Sequence, residues 1–421
     1  MKVFKFGGAS IKSANAIKNV AKILNSQDLS NCLLVISAMG KMTNAFEIVV
    51  NSYFNNENEL KLSIESIQNF HIKIVEDLFE KEDTIHHDIY KLFESLNEFL
   101  IQNTSKDYNY IYDQIVHFGE LLSTKIISAF LEKSEIINTW LDIRTIIKTD
   151  SEYRNAAVNW NETQTNCNNL SKEKLHITQG FIARDSKNNT TTLGREGSDY
   201  SAGILAYCLG AESVTIWKDV NGVLNADPRE FKNTVLLENI SYQEAIEMAF
   251  YGASVIHPKT IKPLENKKIP LYVRSFENLE NNGTKVSKGV DLHPKTSCYI
   301  VKKKQILVSI STNDFSFMVE ENLSKIFKQL HQHKLKVNLI QNSAISFSVC
   351  LEDNYANFNR FYDEIHANFK VRYNTNVTLY TVRHFDKKSI KEIELKGNVL
   401  LKQSSRETIQ LLVEEKNNYD N

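Results

Sequence analysis

The sequence predicts an α/β protein in two parts: an αβα sandwich around a mostly parallel sheet, then a smaller α+β region of ferredoxin-like type. Three observations carry this. Strand-like and helix-like segments alternate from residue 3 to residue 273, as crossover-connected parallel strands require. All five prolines, Pro228, Pro258, Pro263, Pro270 and Pro294, fall between 228 and 294, and the pattern changes after the last. From 305 to 369 the order becomes strand, helix, strand, strand, helix, which is a ferredoxin-like run.

Taken in order, 3–6 reads as a strand, 7–10 as a turn and 14–24 as a helix whose apolar face is Ile17, Val20, Ala21 and Leu24. CLLVIS (32–37) is a continuous apolar run, as a strand buried on both faces should be. Residues 45–104 read as mostly helical. Ile111, Ile115, Leu122, Ile126 and Phe130 mark one helix over 110–133. Strands are expected at 136–143, 175–183, 213–217 and 269–273, and helices at 198–209 and 242–251. The proline-rich stretch reads as fixed turns, which puts a domain boundary near 295. Beyond it the expectation is strand 305–311, helix 320–333, strands 335–341 and 345–351, and helix 355–369. A shorter echo follows at 377–382, 386–395, 399–402 and 408–413.

Four hundred and twenty-one residues allow two or three domains. The chain is 42% hydrophobic and 24% charged, which excludes a disordered or fibrous protein. Fifty Lys and Arg balance 51 Asp and Glu, so no basic surplus points to nucleic acid or to a membrane surface. No apolar run approaches a membrane span. MKVFKFGGAS enters a strand at once, leaving no room for a signal peptide. Cys32, Cys167, Cys208, Cys298 and Cys350 are scattered, without CxxC or zinc spacing, and read as buried single thiols in a reducing cytoplasm.

Two glycine-rich turns carry the candidate chemistry. KFGGAS (5–10) follows the first strand, and TLGREGSD (192–199) opens the helix at 198. Such turns aim backbone N–H groups at an anion, and Lys5, Arg195 and Asp199 add charge that a mere turn does not need. There is no GxxxxGK[ST] loop, no protein-kinase set and no GxGxxG after a strand.

These segments, with SAMGKMTN (37–44), FGELLS (118–123), WKDVNGVLNADPR (217–229) and MAFYGASVIHPKTIKP (248–263), resemble the amino-acid-kinase family, and within it the aspartokinases. LHQHKLKVNLIQNSAISFSV (330–349) resembles the ACT regulatory domains that follow the kinase domain there. The resemblance implies an amino-acid-kinase domain over 1–295 and an ACT region over 296–421, with one unit at 305–373 and a shortened one at 374–421. It implies ATP-dependent phosphorylation of the β-carboxylate of L-aspartate to 4-phospho-L-aspartate, at the head of lysine, threonine and methionine biosynthesis. It implies ATP with Mg²⁺ carried mainly on the phosphates, an amino-acid effector, a homodimer paired through the ACT region and a cytoplasmic location. It implies no protein-held metal.

By the same carry-over, Lys5 and Asp199 are the catalytic pair. Thr43, Glu120, Arg195, Glu196, Gly197 and Ser198 would bind aspartate, with Arg195 on the α-carboxylate and Glu120 on the ammonium. Lys5, Phe6, Gly7, Gly8, Lys218, Asp219, Leu224, Arg229, Ser254 and Val255 would bind ATP, and Asn338, Gln341 and Asn342, in a turn at 337–342, would meet the effector. Three positions depart from the family pattern: Ala9 stands where Thr is usual, Glu196 where Gly is common, and Ser254 where many relatives carry a Lys that Lys218 could replace. Asp227 and Pro228 read as turn formers, His257 as a structural histidine, and Phe181, Tyr200 and Trp217 as packing residues. Two alternatives stay open: a kinase for glutamate, acetylglutamate or carbamate, and a catalytically inert amino-acid sensor. The length leaves no room for a dehydrogenase-sized extension.

Overall fold

CLLVI is an unbroken apolar run and KVFKF is apolar but for Lys2 and Lys5, which suits strands covered on both faces. They form β1 (Lys2–Phe6) and β2 (Cys32–Ile36), paired in parallel. The computed structural model describes residues 1–171, 173–253, 256–314 and 316–415. These fall into two compact units, one of 1–223, 236–246 and 256–294, the other of 224–235, 247–253 and 295–415.

The first unit is built on an eight-stranded sheet. It adds β3 (Thr139–Leu141), β4 (His176–Gln179), β7 (Ser213–Lys218), β8 (Asn239–Ser241), β9 (Leu271–Ser275) and β10 (Thr284–Ser287). The order is β3, β4, β2, β1, β7, β9, β10, β8, and every pairing is parallel except β9 with β10. A separate ribbon pairs β5 (Ile182–Arg184) with β6 (Thr190–Thr192). Among the described residues these strands are accompanied by α1 (Ala14–Asn25), α2 (Met42–Asn55), α3 (Glu57–Leu78), α4 (Ile85–Gln102), α5 (Tyr108–Val116), α6 (Phe118–Lys133), α7 (Trp160–Asn168), α8 (Gly197–Leu209), α9 (Tyr242–Tyr251), whose residues from 247 belong to the second unit, and α10 (Pro258–Lys267).

Several expectations shift. The helix expected over 110–133 is two, parted at His117, with apolar residues buried on both sides of the break. The strand expected over 175–183 breaks at Gly180 and Phe181, where φ of Phe181 is +70°. The strand expected over 136–143 shrinks to β3, and 143–145 forms a 3-10 turn. The turn at 7–10 is one turn of 3-10 helix, Gly8–Ile11. Two prolines read as turn formers are helical: Pro258 opens α10, where its missing N–H costs nothing, and Pro263 lies inside it.

The second unit carries a six-stranded antiparallel sheet. Its strands are β11 (Cys298–Thr312), β12 (Lys336–Asn342), β13 (Ser346–Glu352), β14 (Phe369–Arg383), β15 (Gly397–Ser404) and β16 (Thr408–Glu415), in the order β12, β13, β11, β14, β16, β15. Its helices are α11 (Glu320–Gln332), α12 (Phe358–His366) and α13 (Lys387–Glu394). β11 and β14 each run 15 residues and pair with one another, so each serves both ferredoxin-like halves. The C-terminal echo is therefore completed by 298–302, upstream of the strand expected at 305. The lysine run at 302–304 hides this continuity, and the pairing is bulged beside it, with φ of Lys304 at +56°. Residues 337–342 are not a turn: they belong to β12, which carries a bulge between Val337 and Leu339.

Ile326, Leu330, Phe361 and Ile365 of α11 and α12 pack on Val308, Ile310, Phe347 and Val349. Ile393 of α13 packs on Tyr380, Val382, Ile409 and Leu411, together with Ala226 and Phe231. All five cysteines are buried free thiols. Among the described residues no helix is long and apolar enough to cross a membrane.

Candidate active site

In a parallel sheet, ligands collect beyond the carboxyl ends of the strands, where the next helices begin. Here β1 ends at Lys5 and Phe6, and β7, its neighbour, ends at Lys218. The first turns of α2, α6 and α8 bring Thr43, Glu120, Ser198 and Asp199 to the same place. Together they border a cavity of about 580 Å³ in the first unit. Three helix N-termini at one cavity supply a positive field suited to anions.

The buried centre is an ion pair. Lys5 Nζ lies 2.7 Å from Asp199 Oδ1, and Lys218 Nζ lies 3.7 Å from Asp199 Oδ2. Burial pushes the Asp199 carboxyl up, but the Lys5 and Lys218 ammoniums outweigh it and hold the group below its usual range. Glu120 is the opposite case. It is 2% exposed, and burial raises it to about 8, although the Ala38 N–H and the Lys5 charge pull the other way. Glu120 Oε1 accepts from Ala38 N at 3.3 Å, while Oε2 is buried without a partner. A buried, unpaired carboxyl oxygen facing a cavity is a place for a cationic donor.

Close backbone approach explains two of the glycines. A Cβ on Gly8 would lie 2.5 Å from Gly40 O and 2.8 Å from Ala38 O, so the 7–10 and 37–44 loops meet only because Gly8 has none. Gly40 N donates to Gly8 O at 2.9 Å across that seam. Gly180 likewise gives way to Ser198, whose Cβ would lie 2.5 Å from a Cβ added there.

Of the residues expected at the site, Lys5, Gly8, Thr43, Glu120, Arg195, Glu196, Gly197, Ser198, Asp199 and Lys218 line this one cavity. Gly7 instead caps the 3-10 turn. The Phe6 ring is fully buried and stacks on Trp217 at 5.9 Å, leaving only its backbone for a ligand. Asp219 is exposed outside the cavity lining. Leu224 and Arg229 belong to the second unit, and the Arg229 guanidinium is turned onto Asp227 at 2.6 Å. Ser254 and Val255 lie outside the described residues. His257 caps α10, its Nδ1 accepting from Lys259 N at 3.2 Å.

Sequence reasoning missed Tyr112 and Arg154, which also line the cavity. Neither sits in a glycine-rich segment, so no local signal marks them. Asp113 went unnoticed too. It is fully buried, accepts from Arg154 N (3.0 Å), Thr192 N (2.9 Å) and Thr192 Oγ1 (2.8 Å), and is raised by burial to about 6. It ties the 154 loop to the strand that leads into Gly194.

In the second unit, Asn338 is enclosed by its own network. Lys302 Nζ donates to its Oδ1 at 2.8 Å, and its Nδ2 donates to Gln305 Oε1 at 2.7 Å and Glu352 Oε2 at 3.4 Å. Gln341 and Asn342 are exposed on the edge strand β12.

Residues 1–275 match the amino acid kinase family. The lysine-sensitive aspartokinase 3 of Escherichia coli (strain K12) is 31% identical over 356 residues, covering 83% of this chain and 78% of that protein. The chain belongs to the aspartokinase branch of the amino acid kinase family. A bifunctional aspartokinase/homoserine dehydrogenase 2 of Arabidopsis thaliana is 33% identical over 293 residues, covering 67% of this chain but 32% of its own. The chain thus spans about a third of the length of that bifunctional relative. The crystal structure of E. coli aspartokinase III with lysine and aspartate has a TM-score of 0.84 and 26% identity, covering 98% of this chain and 96% of that one. The same enzyme with aspartate and ADP has a TM-score of 0.81 and 27% identity, over the same shares of each chain.

Proposed function

We propose that the chain is an aspartate kinase, moving the γ-phosphoryl group of ATP to the β-carboxylate of L-aspartate. The observation that carries this reading is one cavity holding both the buried Lys5–Asp199 pair, with Lys218 beside it, and the unpaired carboxyl of Glu120. The acceptor carboxylate has a pKa near 4 in water and is ionised at neutral pH, so no general base is needed. The work left to the chain is to hold two anions together and to offset charge on the moving group.

Lys5, fixed by Asp199, neutralises charge on the transferring phosphoryl, with the Gly8 loop and the α8 N-terminus adding N–H donors. Arg195 grips the α-carboxylate through its planar fork. Glu120 accepts the α-ammonium, and Thr43 and Ser198 add hydroxyl contacts. ATP lies along the Lys5–Gly8 turn and Lys218. Among the described residues no three Asp, Glu, His or Cys side chains cluster to cage a metal ion. Mg²⁺ would ride on the nucleotide phosphates, where it neutralises their charge when bound. Residues 1–295, apart from the 224–235 and 247–253 segments that pack with the second unit, form the catalytic domain, and 296–421 form an ACT-type regulatory region that pairs two copies and binds an aspartate-family amino acid, in the cytosol.

Acyl phosphate trapped with hydroxylamine, with aspartate, glutamate, acetylglutamate and carbamate as acceptors, tests the reaction. Hydroxamate with aspartate alone is expected. Product from another acceptor, or none from any, overturns it. Titration with lysine and threonine, with sedimentation alongside, tests the regulatory half: flat curves from a monomer would refute it.

A further inference from the structure

Two charged residues of the cavity wall break a backbone rule. Arg154 has φ +69° and Glu196 φ +53°, the left-handed region that disfavours any residue with a Cβ and that glycine fills freely. Their charges are opposite, and both line the cavity that holds Lys5 and Glu120. Strained backbone persists where surrounding structure enforces it, and such strain gathers at ligand clamps.

The surroundings here do enforce it. Arg154 N donates to Asp113 Oδ2 at 3.0 Å, and the same oxygen accepts from Thr192 N at 2.9 Å, so the two loops hang from one carboxyl. They also touch: a Cβ on Gly194 would lie 3.2 Å from Arg154 O. The Arg154 guanidinium sits 4.4 Å from the ring centre of Tyr112, whose hydroxyl donates to Glu47 at 2.7 Å. Glu196 opens α8 without capping it, and its Oε2 is buried with no hydrogen-bond partner.

We propose that Arg154 and Glu196 determine acceptor specificity by reading the α-amino-acid end of the acceptor. This rests on the aspartate kinase reading. An ammonium has three N–H donors and a carboxylate about four acceptor positions, more than Glu120 or Arg195 alone can use. Glu196 takes a second N–H of the α-ammonium beside Glu120, and Arg154 takes the α-carboxylate beside Arg195. An acceptor lacking either group leaves a site charge unpaired, which is how polar sites reject near-isosteres.

The test uses Glu196→Gly and Arg154→Gly, which relieve the backbone and should fold at least as well as wild type. Succinate, which lacks the amine, and L-isoasparagine, whose α-carboxylate is an amide, are measured as competitors of L-aspartate. In Glu196→Gly the gap between the succinate Ki and the aspartate KM should narrow by about tenfold, with the isoasparagine gap unchanged. Arg154→Gly should do the reverse. Glu196→Gln and Arg154→Met keep the side-chain bulk and should repeat these shifts if a glycine variant misfolds. Unchanged gaps in an enzyme active on aspartate would overturn this inference alone. A wild type inactive on aspartate would overturn the parent reading instead.

Discussion

If Glu120 takes the acceptor's ammonium as proposed, it ties the chemistry of the acceptor site to pH. Its carboxyl is raised to about 8 by burial, so at pH 7 only about one molecule in ten carries the charge that an ammonium needs. Binding aspartate must ionise it, which costs about 1.4 kcal/mol per pH unit below 8. Aspartate affinity should therefore fall about tenfold from its plateau at pH 7 and about a hundredfold at pH 6. Close to one proton should leave the protein on binding at pH 7. Calorimetry in buffers of different ionisation enthalpy reads that proton, and the KM for aspartate from pH 6 to 9 reads the slope. Glu120→Gln keeps the shape of the neutral acid, so it should lose both the proton release and the slope while binding aspartate weakly throughout. Stability follows the raised-pKa sign: the folded state keeps a proton that the unfolded chain gives up near pH 4.5. The carboxyl thus weakens the fold as pH rises from about 4.5 to 8, and Glu120→Gln should melt above wild type at pH 9 but not at pH 4. Aspartate binding that releases no proton at pH 7, or the same slope in the variant, would refute the reasoning.

Three further outcomes are expected. Lys5→Ala should cut kcat by about a hundredfold or more, as the loss of one preorganised charge of about 3–4 kcal/mol implies, with the fold kept because Lys218 still faces Asp199; a kcat above about a tenth of wild type would sink it. Lys218→Thr should raise the KM for ATP and not that for aspartate, and adding Ser254→Lys should restore much of it; steady-state kinetics on both variants decides. Asn338→Ala removes the amide acceptor of the Lys302 ammonium and one donor to the buried Gln305 oxygen, so it should lower stability by about 1–3 kcal/mol in denaturant titrations and relieve amino-acid inhibition.

The central strands and the cavity were legible because they obey local rules. An apolar run such as CLLVI admits few other readings, and Gly8 stands where two backbones meet. What stayed hidden is non-local. The short strands Asn239–Ser241, at the sheet's edge, and Thr284–Ser287, beside it, carry too few residues for a period to show. The length of β11 and β14 was masked by lysines and polar residues that lie on exposed stretches of strand. Arg154 and Tyr112 are brought to the cavity by the fold, with no motif in their own segments. Leu224 and Arg229 sit close in sequence to Lys218, yet Ala226 and Phe231 bury their segment in the other unit's core. Proximity along the chain is no guide where a connection crosses between units.

The charge balance of the cavity explains why its two buried acids differ. Asp199 is buried with two lysines and stays ionised, so it fixes their position but also cancels part of the charge they offer to phosphate. A second ionised acid at Glu120 would cancel more, and would do so before any acceptor arrived. Burial keeps Glu120 protonated at neutral pH, which leaves Lys5, Lys218 and Arg195 less offset when a polyanionic nucleotide binds. The acceptor then brings its own ammonium, and the proton departs as that cation takes its place. On the proposed reading, the burial that weakens acceptor binding below pH 8 therefore preserves the field that donor and transition state need, and Glu120 is charged only when a cation is present to pair with it.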